Sequence, residues 1–270
     1  LLRKNKVTVL EGVGYPKNSK TVICNIKGKN EELLATNIII ATGARPNQVS
    51  GLETDGQLIW DYKDALRPKK VPKKLLVVGS GAIGVEFASF YNSIGTETIL
   101  IELMPRILPN EDLEISAYAK KEFLAKGILV HENASISKIK KLNSSVSLEL
   151  NSSGKKINVE VDKVLMATGI IGNTEEIGLE DLGVEVKNGH IVTDMNCRTN
   201  IPNIYAIGDV TTGPWLAHKA SHEGTLVAES ISGINVKPLD INNIPGCTFC
   251  DPQIASLGFS EERAKSAGYQ

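Results

Sequence analysis

Leu75-Leu76-Val77-Val78-Gly79-Ser80-Gly81-Ala82-Ile83-Gly84-Val85-Glu86 is the stretch on which the fold turns. Four apolar residues run into three glycines spaced Gly-x-Gly-x-x-Gly. Ile83, Phe87, Phe90, Tyr91 and Ile94 then recur at helical spacing, and Gly95 is placed to end the helix. A second apolar run, Thr98-Ile99-Leu100-Ile101, ends on Glu102. The pattern predicts strand, tight turn, helix, strand. In such a unit Gly79 permits the turn, Gly81 lets the backbone approach a pyrophosphate, and Gly84 lets helix and strand pack closely. Unpaired N–H groups at the helix N-terminus face the phosphates. Glu102 lies 23 residues beyond Gly79, near the roughly 20 expected of an acid that accepts hydrogen bonds from a ribose 2′-OH. A 2′-phosphate would be repelled there, and no Arg or Lys follows Glu102 until Arg106. The residues point to NAD(H) rather than NADP(H).

Composition narrows the class. The chain has 270 residues, 41% hydrophobic and 23% charged, with a formal net charge of −1, which leaves room for two compact units and a sizeable interior. Near-zero charge gives no electrostatic case for a nucleic-acid or anionic-membrane partner, and Lys69-Lys70 and Lys73-Lys74 read as a solvated edge. No apolar stretch approaches the roughly 18 to 20 residues of a membrane helix, and Leu1-Leu2-Arg3-Lys4 lacks a secretory pattern, so a cytoplasmic protein is expected. Cys24, Cys197, Cys247 and Cys250 are scattered and do not read as a disulfide framework. Cys247-x-x-Cys250 has no second Cys or His pair at ligand spacing; the expectation is small core residues and no metal. His218 and His222 share a helical face, but without a His-Glu-x-x-His arrangement or a third ligand they too predict no metal. His131 and His190 read as structural or surface residues, and Trp60 and Trp215 as core.

Along the chain, Val7–Leu10, Lys20–Ile26 and Leu33–Ile40 read as β runs in a short antiparallel meander, followed by a polar connector. From about Val71 to Thr193 the dinucleotide unit continues through a helix at Glu111–Lys126, closed by Gly127, and a strand at Ile128–Val130. A meander at Ser135–Lys141, Ser145–Asn151 and Ile157–Val161 leads to the apolar run Val164-Leu165-Met166. The fold class is α/β: a Rossmann-type domain with a parallel sheet plus a β-meander. After residue 194 the texture becomes Gly-rich, with a helix near Ala217–Ser230 and a turn-rich segment from Ile241.

An internal echo identifies the relatives. Ile38-Ile39-Ile40-Ala41-Thr42-Gly43-Ala44 and Val164-Leu165-Met166-Ala167-Thr168-Gly169-Ile170 are both apolar strands ending in Ala-Thr-Gly. Together with Thr199-Asn-Ile-Pro-Asn-Ile-Tyr-Ala-Ile-Gly-Asp209, they resemble the two-dinucleotide-binding flavoprotein disulfide reductases. Gly213-Pro-Trp-Leu-Ala-His-Lys-Ala220, His222-Glu-Gly224 and Pro245-Gly-Cys-Thr-Phe-Cys-Asp-Pro-Gln-Ile-Ala-Ser-Leu-Gly258 are most similar to the dihydrolipoamide dehydrogenases of that group.

The resemblance implies an internal piece of a homodimeric flavoenzyme, flanked by partial FAD-domain segments. Residues 1–46 would end the first FAD segment, 47–70 form a connector, 71–193 the NAD-binding domain, 194–240 the central FAD segment and 241–270 the start of the dimerisation domain. It places Gly14, Thr42, Gly43, Ala44, Asp209, Trp215, Leu216, Ala217 and His218 against FAD, with Asp209 on the ribityl hydroxyls. Gly79, Ser80, Gly81, Ala82, Ile83, Gly84, Val85, Glu86, Glu102, Ile136 and Gly169 would line the NAD site. For Glu86 this means a nicotinamide-ribose contact instead of a plain first-turn acid favoured by the helix dipole.

The implied chemistry is oxidation of dihydrolipoamide, carried on lipoyl domains of a 2-oxoacid dehydrogenase complex, through a redox disulfide and FAD to NAD. The chain departs from the pattern at Ile170-Ile171-Gly172-Asn173, where many relatives carry an Arg-Arg-Pro triplet. It also contains no amino-terminal FAD Gly-x-Gly-x-x-Gly, no Cys-x4-Cys and no His-x-His-Pro. No catalytic residue is therefore assigned, and the 270 residues alone are expected to bind NAD weakly, hold FAD loosely and not turn over. A related transhydrogenase or other disulfide reductase, and a non-enzymatic NAD-binding module, are the alternatives.

Overall fold

The strand Lys74–Val78 is the centre of a five-stranded parallel sheet. The computed structural model describes residues 1–269 and orders this sheet as Ile59–Trp60, Lys163–Met166, Lys74–Val78, Glu97–Ile101, Leu129–His131. All four pairings are parallel. Leu75, Leu76 and Val77 are all completely buried, which explains why the strand reads as an unbroken apolar run: a parallel sheet is covered on both faces. Successive side chains point to opposite faces. Leu75 and Val77 pack with Val85, Ala88, Tyr91, Ala119 and Phe123 from the helices Ala82–Ser93 and Leu113–Ala125. Leu76 instead joins Ile99 and Ile101 against Val146, Leu148 and Leu150 of the antiparallel meander Ala134–Lys141, Val146–Ser152, Lys155–Val161. At about 1.5–3 kcal/mol per fully buried large aliphatic side chain, these two apolar layers are the main driving force for this part of the fold.

The chain divides into two compact units. One comprises residues 46–170 and 242–270 and contains the parallel sheet; the other comprises residues 1–45 and 171–241. In the latter, Val13–Asn18, Thr21–Ile26 and Lys29–Leu34 form an antiparallel meander. Ile38–Ile40 pairs in parallel with Ile204–Ala206 over a core of Ile38, Ile40, Leu179, Ile191, Ile204 and Val210. The helix Ala217–Ile231 packs through Leu226 and Val227 beside Cys197.

Most expected elements occur within one to three residues of their predicted bounds. Four features differ. The run expected at Leu33–Ile40 is split between Lys29–Leu34, which closes the meander, and Ile38–Ile40, which pairs with Ile204–Ala206, and the meander's first strand is Val13–Asn18. Val7–Leu10 is not a strand: Val7, Val9 and Leu10 are exposed, and β-propensity without a paired ladder does not make one. The stretch read as a connector contains the edge strand Ile59–Trp60 and the helix Tyr62–Leu66, capped by Asp61 and completing the parallel sheet. Residues 171–193, read as the end of the dinucleotide domain, pack in the other unit, with Leu179, Val184 and Ile191 in its core. The hairpin Gly246–Thr248/Ile254–Ser256 buries Cys250 and Ile254 in the cluster under the helix Ala82–Ser93.

Candidate functional site

At the carboxyl end of Lys74–Val78 the backbone turns through Gly79 at φ +97°, a conformation that side chains disfavour. The three glycines have different reasons. A Cβ at Gly79 would lie 2.5 Å from the Ala167 carbonyl oxygen, and one at Gly84 would lie 1.9 Å from that of Gly79. A Cβ on Gly81 would meet nothing within 4 Å. Gly79 and Gly84 are thus demanded by the fold, whereas Gly81 keeps open space in front of the helix. Gly81 is also the N-cap of Ala82–Ser93, and no side chain caps that end, so its first amides remain available to an anion.

Glu102 reaches this bend because Ile101 is in register with Val78, and Gly79 N donates to Ile101 O at 2.9 Å. Glu102 is 8% exposed. Oε2 accepts from Ser80 N at 2.8 Å and Ser80 Oγ at 2.6 Å, and Oε1 accepts from Met104 N at 2.8 Å. Oε2 has used both of its acceptor positions, whereas Oε1 keeps one, so an anchored Glu102 can still receive a hydroxyl hydrogen at Oε1. Beside the bend, Thr168 Oγ1 is buried without a hydrogen-bond partner. Gly169 follows at φ +92° on the surface. Ile136 is half-buried against the apolar layer of the meander. Glu86 Oε1 accepts from Phe249 N at 2.7 Å; its carboxylate is already engaged by the late hairpin, a role the sequence did not indicate. Asp251 N donates to Ser89 Oγ at 2.9 Å, and Lys126 pairs with Asp251. Cys250 is buried, and its thiol is pushed up to about 11 by that burial, whereas Cys247 is exposed, against the expectation that both would be core residues.

The second cluster lies in the other unit. Ile204–Ala206 runs into a 3₁₀ turn, Gly208–Val210, that carries Asp209. Among the described residues the Asp209 carboxylate has no hydrogen-bond or ion-pair partner, while its main-chain carbonyl lies 3.1 Å from His190 Nδ1. A carbonyl only accepts, so Nδ1 carries the proton. His190 is 4% exposed and stacks on Trp215 with ring centroids 4.8 Å apart. Trp215 Nε1 donates to Thr211 O at 3.0 Å, and the residue is 42% exposed; Trp60 is a core tryptophan, and of the two readings open for Trp215 the structure does not give the core one. Leu216 is the N-cap of the helix whose first turn carries Ala217 and the exposed His218.

Thr42 Oγ1 donates to Asn173 O at 2.8 Å, Asn173 N donates to Gly43 O at 2.9 Å, and Arg45 bonds Gly172 O and Glu175. The Asn173 side chain adds a bond of its own, Nδ2 donating to Thr42 O at 2.9 Å, so the departure at 170–173 helps to tie down the Thr42-Gly43-Ala44 loop. Gly14 lies on the exposed strand Val13–Asn18 opposite Cys24. Every residue expected at NAD falls in the unit with the parallel sheet, and every residue expected at FAD in the other. Asn173, His190, Lys219 and Glu223 were missed; only the i,i+4 spacing of the last two was a signal.

The family described as pyridine nucleotide-disulphide oxidoreductase matches residues 1–224. The chain belongs to the pyridine nucleotide-disulphide oxidoreductases. Among curated members of this kind it is 44% identical to a dihydrolipoyl dehydrogenase of Rhizobium etli, across 99% of this chain and 59% of that protein. It is 45% identical to one from Zymomonas mobilis, across 100% of this chain and 58% of the relative. Among solved structures, LpdA from Mycobacterium tuberculosis superposes with a TM-score of 0.90 at 25% identity, covering 98% of this chain and 59% of LpdA. The flavoprotein disulfide reductase RclA from Escherichia coli gives 0.83 at 28% identity, covering 97% and 59%. The chain spans less than two thirds of each of these oxidoreductases. Among the described residues no helix is long and apolar enough to cross a membrane, and no group of three or more His, Cys, Asp or Glu side chains is arranged for a metal ion.

Proposed function

We propose that this chain is the nucleotide-handling part of an NAD-dependent dihydrolipoamide dehydrogenase. The observation that carries the reading is identity of 33–45% across essentially the whole chain to dihydrolipoyl dehydrogenases of several bacteria. The donor sets suit the two cofactors. Open space at Gly81, uncapped amides at the head of Ala82–Ser93 and the orphaned Thr168 Oγ1 suit a pyrophosphate and its neighbours. The anchored Glu102 carboxylate accepts from a ribose hydroxyl and repels a 2′-phosphate. Asp209 offers an unpartnered carboxylate to a polyhydroxyl chain, held from the main-chain side by His190.

FAD, when bound, relays two electrons from a dithiol to nicotinamide. This chain's own residues orient the two cofactors. The substrate would be dihydrolipoamide on lipoyl domains of a 2-oxoacid dehydrogenase complex, handled by a cytoplasmic homodimer. No Cys-x4-Cys pair occurs in the 270 residues, so turnover is expected of the whole gene product and not of this stretch alone.

Two measurements test the reading. Calorimetric titration of the chain with NADH and NADPH in parallel is expected to show NADH binding at least about tenfold tighter, about 1.4 kcal/mol; preference for NADPH would overturn the role of Glu102. The whole gene product should form NADH from dihydrolipoamide and NAD⁺. Turnover of a different disulfide, with none of dihydrolipoamide, would move the protein to another branch of the family.

A further inference from the structure

Besides Glu102, the charged side chains buried among the described residues are Lys219 and Glu223, at 2% and 4% exposure. They are four residues apart on the helix Ala217–Ile231, with Lys219 Nζ 2.8 Å from Glu223 Oε1. Helix stability does not explain them. Lys before Glu is the weaker order for an i,i+4 pair, and burying both ions costs more desolvation than an apolar pair of the same size.

Their remaining bonds all run to one place. Glu223 Oε2 accepts from Gly208 N at 2.7 Å. Lys219 Nζ donates to Thr211 Oγ1 at 2.8 Å and to Thr212 O at 3.4 Å. Thr211 Oγ1 in turn donates to Gly208 O at 2.8 Å, and Thr211 N closes the turn on the same carbonyl at 3.0 Å. The pair thus grips both ends of Gly208-Asp209-Val210-Thr211, a turn that begins with Gly208 at φ +75°. Burial, with a contribution from Glu223, raises the nearby Cys197 thiol to about 12, in keeping with a dry setting.

We propose that the Lys219–Glu223 ion pair is a positioning device for Asp209, holding the turn so that its carboxylate meets the flavin's polyhydroxyl chain. The proposal rests on the reading that Asp209 binds FAD. Because the two charges cancel, the brace fixes the turn without adding a net field that would repel or capture the Asp209 carboxylate. Removing one partner leaves a buried unpaired charge; replacing Glu223 by Gln keeps an acceptor for Gly208 N but loses the ion pair.

The test uses the apoprotein of the whole gene product, titrated with FAD by flavin fluorescence. Visible circular dichroism of the bound flavin and melting of the apoprotein are followed in parallel. Asp209→Asn is expected to raise the FAD dissociation constant tenfold or more. Lys219→Met should raise it by a similar factor and distort the flavin dichroism. Introduced on top of Asp209→Asn it should add less than twofold, the signature of two residues acting through one contact. Lys219→Arg should restore part of the loss, and Glu223→Gln, which retains the Gly208 contact, should cost about threefold and serves if Lys219→Met does not fold. Unchanged FAD affinity and dichroism in both Lys219→Met and Glu223→Gln, or factors that multiply independently of Asp209→Asn, overturn the positioning role while leaving Asp209 as a ligand. If Asp209→Asn leaves FAD affinity unchanged, the flavin reading itself falls and takes this proposal with it.

Discussion

The bend at Gly79–Gly84 and the turn at Gly208–Thr211 solve a similar problem by different means. Each leaves the carboxyl end of a parallel strand, and each has as neighbour a strand that ends in Ala-Thr-Gly. The first is made by the main chain: two of its glycines sit where a Cβ would strike a carbonyl, and its acid arrives from the adjacent strand in register. The second is made by side chains, with an ion pair from a later helix gripping the turn and a histidine holding the Asp209 carbonyl. A site built from backbone is intolerant of added atoms, whereas a site braced by buried charges is intolerant of losing one.

The sharpest way to break this comparison is Gly84→Ala. A methyl 1.9 Å from a main-chain oxygen cannot be accommodated without moving helix or strand, and a loss of about 3 kcal/mol or more in chemical denaturation is expected. Gly81→Ala is the contrasting case, since its Cβ meets nothing: melting should hold within a few degrees while NADH affinity drops about tenfold or more by calorimetry. If both variants melt alike, Gly81 is not reserved for a ligand. Next in size, Glu102→Gln should reduce the preference for NADH over NADPH by about tenfold, because a neutral amide no longer repels a 2′-phosphate.

The smallest effect concerns acid. Burial works against the Asp55 carboxylate, yet Lys141 and the amides of Ile59, Gln57 and Leu58 hold it down at about 2. A depressed folded-state value means that its contribution is full above the ordinary carboxylate range and is lost as pH falls from about 4 through about 2. Solvent screening of this partly exposed pair limits the contribution to about 1 kcal/mol. Denaturation at pH 6 and pH 3 should show about half of that contribution, the rest being lost towards pH 2, and Asp55→Asn should remove the difference.

What the sequence revealed follows the same division. Gly79, Gly84 and Glu102 were legible because their constraints act between residues close along the chain or one strand apart. Val7–Leu10 was misread because an apolar β-prone run says nothing about whether a partner strand exists. The strand at Ile59–Trp60 was hidden in a polar stretch because two residues carry no period. Lys219 and Glu223 have a spacing that surface pairs share, which gives no sign of burial, and it is Gly208, 15 residues before Glu223, that closes over them. His190 was opaque for the same reason, since its partners Asp209 and Trp215 follow by 19 residues or more.

One contact constrains the order of events during synthesis. Glu86 on the nucleotide helix accepts the Phe249 amide from 163 residues downstream. At about 5–20 residues per second on the ribosome, that helix is made roughly 8 to 30 seconds before its closing partner exists. Until then Tyr91 and Phe87 lack the cover that Cys250 and Ile254 later supply. A translational pause between residues 95 and 245 would therefore lengthen the interval in which a sticky helix face is presented to solvent, and chaperone capture of stalled nascent chains should be greatest in that window.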